Sequence, residues 1–172
     1  MEIKVAIQGI QGSFHHQVAH RYFGEAIGLD ECATFRDVAN SLKNNQSDKA
    51  IMAIENSIAG AILPNYALID SYDLHIVGEH FLNIHMNLMV LPGQTIVDIK
   101  EVHSHPIALL QCANFFSQYP HIKLVESSDT AITAKRIQEN QLKGIGALAG
   151  PVASEIYNLE IIADGIHTVK SN

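Results

Sequence analysis

Short apolar runs alternate with amphipathic stretches along almost the whole chain, and this rhythm restricts the fold more than any other feature. An apolar run of four to eight residues suits a buried strand, whereas apolar residues three and four apart suit one face of a helix. Strands are therefore expected over residues 3–8, 33–35, 50–54, 74–79, 84–91, 101–104, 123–125, 144–148 and 160–163. Helices are expected between them, over 15–27, 36–44, 63–72, 107–118, 128–140 and 151–157. Such alternation predicts an α/β fold with mostly parallel strand pairing.

The rhythm breaks between Asp73 and Leu91, where two strand-like runs follow each other without a helix. The second alternates polar and apolar residues, as a strand does when one face is less buried. A continuous strand pair there would carry the chain from one lobe into another. The expected first lobe is 1–83, completed by about 162–172, and the second is 84–161. With 47% hydrophobic and 17% charged residues the composition is that of an ordinary globular protein. A net charge of −7 without a Lys/Arg cluster excludes the basic stripe that nucleic acid requires. The N-terminus enters a strand directly, with no basic segment and long apolar stretch, and no run approaches the ~20 residues of a membrane helix. A cytoplasmic protein with no membrane partner is expected. Cys32 and Cys112 lie far apart in sequence and are expected to be reduced core thiols.

Ligands of open α/β sheets bind at the C-terminal ends of strands, so the strand–helix junctions are where chemistry is sought. At the first, Gly9 and Gly12 allow a tight turn and Ser13 can cap the next helix. N–H groups there favour an anion by ~0.3–1 kcal/mol, or ~2 when partly buried. The Gly-x-x-Gly spacing matches neither the dinucleotide fingerprint nor the P-loop, which disfavours a Rossmann oxidoreductase. At the third strand's end, Glu55, Asn56 and Ser57 place a carboxylate, an amide and a hydroxyl in a row before Gly60, a set that is costly to bury without partners. A third junction runs from Ser104-His105-Pro106 to Gln111, with Pro106 suited to a first helical turn. Two more start at Ser127-Ser128-Asp129-Thr130 and at Ala147-Leu148-Ala149, whose small residues permit close ligand approach. The pairs His103/His105 and His16/His20 lack a third ligand at metal-site spacing, so no metal is expected.

Taken in order, these junctions resemble the prephenate dehydratase family along the whole chain. Its opening Gly-x-x-Gly-Ser-Phe-(Ser/Thr)-His motif is similar to Gly9 through His16, with His15 in place of the usual hydroxyl. Its Pro-Ile-Glu-Asn-Ser-x-x-Gly motif resembles the stretch from Ile54 to Gly60, with Ala53 where the family has proline. The Ser-His-Pro and Gln-Cys signature resembles Ser104-His105-Pro106 with Gln111-Cys112; Thr130-Ala131 and Ala147-Leu148-Ala149 resemble two further motifs. The tail from Leu159 to Ile166 is similar to the family's return strand. The Thr-Arg-Phe tripeptide, whose threonine is the family's favoured catalytic hydroxyl, is not reached: the sequence there reads Lys170-Ser171-Asn172. The regulatory ACT domain of the family is also absent from this chain.

The resemblance implies two α/β lobes with a cleft between them, similar to the periplasmic-binding-protein type II fold. It implies a carbon–oxygen lyase that converts prephenate to phenylpyruvate in phenylalanine biosynthesis, without metal or redox cofactor. It further implies catalytic roles for Glu55, Asn56, Ser104 and Gln111. Substrate contacts are implied for Gly12, Ser13, Phe14, Ser57, Gly60, Thr130, Ala147, Leu148 and Ala149. Gly12–Phe14 and Ala147–Ala149 would supply backbone N–H groups to carboxylates, and Glu55 would orient rather than protonate. Little activity is expected of a chain without the threonine, and the full-length protein is expected to be a homo-oligomer, a dimer or tetramer. Arogenate dehydratases share these motifs, and a non-catalytic module that binds a small diacid is the remaining alternative.

Overall fold

The computed structural model describes residues 2–58 and 60–168. Lys170, Ser171 and Asn172, where the tripeptide was sought, lie outside them. Among the described residues two compact units are present: one takes in 2–10 and Phe14–Asn83, the other Gln11–Ser13 and 84–168.

The first unit runs β1 (Ile3–Gln8), α1 (Phe14–Phe23), β2 (Ile27–Cys32), α2 (Phe35–Lys43), β3 (Lys49–Ile51), β4 (Glu55–Asn56), β5 (Gly60–Ala61) and α3 (Leu63–Ser71). Its main sheet has the order β2-β1-β3, all parallel, as the alternating pattern predicts. The central strand β1 is apolar on both faces. Val5 and Ile7 pack with Ala19 and Ile27 on one side, and Ala6 packs with Cys32 and Val38 on the other. Helix α1 stops four residues before the expected end because Gly24, at φ 89°, donates to the His20 carbonyl and turns the chain away. That early stop frees Ile27–Cys32 to pair with β1, so the strand falls ahead of the expected 33–35. Thr34 and Asp37 then open α2 with a reciprocal capping box.

No strand forms over 74–79. A strand needs a hydrogen-bonded neighbour, and this stretch has none among the described residues; Ile76 and Val77 stay 63% and 68% exposed.

The second unit continues with β6 (Asn87–Val90), β7 (Glu101–Ser104), α4 (Pro106–Gln111), α5 (Ala113–Phe116), β8 (Lys123–Glu126), α6 (Thr130–Glu139), β9 (Ile145–Ala149), α7 (Pro151–Ile156) and β10 (Glu160–Ala163). Its sheet has the order β10-β6-β9-β7-β8. Strands β7, β8 and β9 are mutually parallel, while β6 runs antiparallel to β9 and β10 antiparallel to β6. One core joins Met89, Ala134, Ile137, Ala147, Ala149 and Ala153 beneath α6 and α7. The sequence placed 162–172 with the first lobe, yet 162–168 packs on the second unit. Ala163 pairs with Leu88, Ile166 N donates to the Met86 carbonyl, and Thr168 N to that of Gln111. The physical reason is that β6 has a free flank beside β9, and the tail fills it.

Candidate active site

In the first unit the polar junction after β3 is a two-stranded hairpin in which Asn56 lies directly opposite Gly60. The Asn56 amide oxygen accepts from Ile58 N at 2.9 Å, which shapes the turn between them. Gly60 has φ 75° and open space where a side chain would stand. Glu55 and Ser57 are exposed and Asn56 is half-buried. The base of the hairpin is held by Asn65, whose amide nitrogen donates to the Ala53 carbonyl at 2.6 Å, and by Ile62 N, which donates to Ile54 at 2.8 Å. Asn65, buried in the structure, was not singled out from the sequence; an amide directly after Pro64 was the available signal.

Phe14 is the first residue of α1, and His15 follows it where the family has a hydroxyl. The His15 ring stands edge-on to Phe35, with centroids 5.3 Å apart. Burial lowers its pKa to about 4, opposed in part by a hydrogen bond to the Gln8 backbone, so the ring is neutral at pH 7.

In the second unit Ser104 closes β7, fully buried, and its hydroxyl donates to the Leu148 carbonyl at 2.9 Å. Two sequence-predicted residues on neighbouring strands are thus brought together. Ala147 and Leu148 lie inside β9, which pairs with β6 on one flank and β7 on the other, so the ladder takes up much of their backbone capacity. Ala149, at the strand's end, stands opposite Asn87 in the same ladder.

Thr130 is the first residue of α6, whose N-terminus is capped by Asp129 accepting from Ala131 N and Ile132 N. Gln111 ends α4, 5% exposed, and its amide oxygen has no hydrogen-bond partner among the described residues. A second orphan amide was missed by the sequence reading. Asn87, fully buried opposite Ala149, accepts from Gly165 N at 2.8 Å, and its own amide nitrogen has no partner among the described residues. Gly12 and Ser13 are buried, and a side chain on Gly12 would come within 3.1 Å of Tyr157.

His103, His16 and His20 each contact neighbouring side chains. Arg136 donates to His103 Nδ1 at 2.7 Å, and His103 Nε2 lies 2.8 Å from Glu101. An arginine can only donate, so Nδ1 is the acceptor and the proton sits on Nε2. His16 and His20 stack edge-to-face at 4.5 Å, with Glu25 3.1 Å from His20. Among the described residues no group of three or more His, Cys, Asp or Glu side chains is placed to hold a metal ion, and no helix is long and apolar enough to cross a membrane.

Residues 5–172 match the family model described as prephenate dehydratase. The bifunctional chorismate mutase/prephenate dehydratase of Buchnera aphidicola is 33% identical over 168 residues, covering 95% of this chain and 43% of that protein. Arogenate dehydratase 2 of Petunia hybrida is 35% identical over 170 residues, covering 99% of this chain and 43% of that protein. Among solved structures, prephenate dehydratase from Arthrobacter aurescens in complex with L-Phe has a TM-score of 0.89 at 24% identity, over 99% of this chain and 57% of that one. The chain therefore spans less than half the length of these two relatives. Ordered junction motifs, the mixed α/β fold and the family match agree, and the chain belongs to the prephenate dehydratase family.

Proposed function

We propose that this chain carries the catalytic residues of a dehydratase acting on prephenate: loss of the ring carboxylate as CO2 and of the ring hydroxyl as water, with uptake of one proton, gives phenylpyruvate. The observation that carries this reading is the family match across residues 5–172, which takes in every junction motif in order. The side chains at those junctions suit a dicarboxylate. Asn56 and Ser57 in the first unit, and Ser104, Gln111 and Thr130 in the second, are uncharged hydrogen-bonding groups. Neutral donors anchor an anion without over-stabilising the carboxylate that must leave. Gln111 adds support, because a buried acceptor unpaired among the described residues costs about 1–3 kcal/mol and is tolerable where a function uses it.

In this reading Asn56, Ser104 and Gln111 are catalytic residues, and the Gly12–Phe14 turn receives a carboxylate. Glu55, exposed at the hairpin, orients. Positioning and proton delivery supply the rate, the latter worth about 10²–10⁴-fold. The substrate is prephenate, with arogenate the alternative that the Petunia relative's name suggests. The same reading makes the protein a cytoplasmic homo-oligomer.

Phenylpyruvate and CO2 release from prephenate by the full-length protein, with arogenate assayed in parallel, tests the activity; release from neither overturns it. Asn56→Ala should lower the rate about 10²–10³-fold, as loss of an oriented polar donor does, and Glu55→Gln should lower it less. Near-normal turnover in both variants removes the hairpin from the mechanism.

A further inference from the structure

Tyr157 caps the C-terminus of α7, and its hydroxyl donates to the Gln11 carbonyl at 2.5 Å across 146 residues of sequence. The same ring lies against Gly12: a Cβ there would stand 3.1 Å from Tyr157 Cε2, 3.2 Å from Ala153 Cα and 3.3 Å from Ala153 Cβ. Helix α7 thus meets the glycine turn with a phenol edge and bare backbone. Gln11–Ser13 group by their contacts with the second unit, although Ile10 before them and Phe14 after them group with the first. Neighbours in sequence are therefore not the turn's only support. Helix α7 supplies a contact from far along the chain.

A trans peptide holds its C=O and N–H on opposite sides. Anchoring the Gln11 oxygen therefore also fixes the direction of the Gly12 N–H. Gly12 sits at φ 89°, a conformation whose freedom would otherwise let the peptide rotate.

We propose that Tyr157 is a positioning residue: its hydroxyl locks the Gln11–Gly12 peptide and so sets the geometry of the turn that receives a substrate carboxylate. The assignment of the carboxylate rests on the dehydratase reading; the locking of the turn does not. Sequence patterning could not show it, since Tyr157 reads as an apolar position at a helix end.

Tyr157→Phe keeps the ring on Gly12 and removes only the donor. Amide hydrogen exchange at Gly12 and Ser13 should then quicken about 3- to 10-fold, the range of one neutral hydrogen bond. In the full-length protein KM for prephenate should rise by a similar factor while kcat stays within about twofold, a split that general loss of stability would not give. Tyr157→Leu, which also removes the ring, should speed exchange along α7 as well as in the turn. Unchanged exchange at Gly12 and Ser13 in Tyr157→Phe overturns the proposal, as does a fall in kcat at constant KM. Exchange is read without substrate, so failure of the unsubstituted protein to dehydrate prephenate overturns the functional reading by a separate measurement.

Discussion

Gly12→Ala offers a test of the packing around the turn, because Gly24 supplies an internal control. Both glycines have φ 89°, but Gly24 has nothing within 4 Å of the place where a Cβ would stand. A non-glycine residue held in that region costs about 1–3 kcal/mol. At Gly24 this backbone cost is the whole effect. At Gly12 the new methyl also meets the Tyr157 ring at 3.1 Å and the α7 backbone at 3.2 Å, both closer than side chains normally approach. The ring can swing aside; the backbone of a packed helix cannot. Overpacking adds about 1–3 kcal/mol, which brings Gly12→Ala to about 2–6 kcal/mol in a fold whose total stability is about 5–15 kcal/mol. Urea unfolding followed by far-ultraviolet circular dichroism measures both variants. Gly12→Ala should lose about 1–3 kcal/mol more than Gly24→Ala. Equal losses would refute the argument, since they would mean that α7 does not press on the turn.

His15 should make stability depend on acid. Its folded pKa of about 4 lies below the ordinary 6.5, so the unfolded chain binds a proton first as pH falls. The stability it contributes is complete above about pH 6.5 and is lost on descent to about pH 4. The shift is worth about 3 kcal/mol at most, and the ring's partial exposure reduces this to about 1–2; His15→Gln should flatten that part of the pH–stability curve. Cys32 should resist modification: burial first, then Asp30 and Asp37, push its thiol up to about 11. Alkylation by iodoacetamide near neutral pH should be slow in the folded protein and fast in urea, and equal rates would contradict the burial.

Much of the architecture was legible because it depends on local patterns. Strands at Glu101–Ser104 and Glu160–Ala163 fall on the expected residues, and Pro106 opens α4 as its missing N–H and fixed φ dictate. The junction motifs were legible for a similar reason: glycines, caps and polar runs announce turns through chemistry confined to a few neighbouring residues. What failed did so where a partner distant in sequence decides. Residues 74–79 have the composition of a strand, but none of the described residues pairs with them. The segment 162–168 was assigned to the wrong lobe because nothing within it states that β6 has an open flank.

The roles of Asn87, Asn65, Arg136 and Tyr157 share that origin. Each is an ordinary residue by pattern, and each acquires its task from a group that the fold delivers: Gly165 N, the Ala53 carbonyl, His103 Nδ1 and the Gln11 carbonyl. By itself the sequence determined which stretches bury an apolar face, where the chain must turn, and to which family it is similar, since periodicity, glycine and capping act over a few residues. Only the tertiary structure decided which strand flanks which, where the tail docks and which side chains hold the Gly12 turn, because a hydrogen bond across 146 residues leaves no mark in local composition.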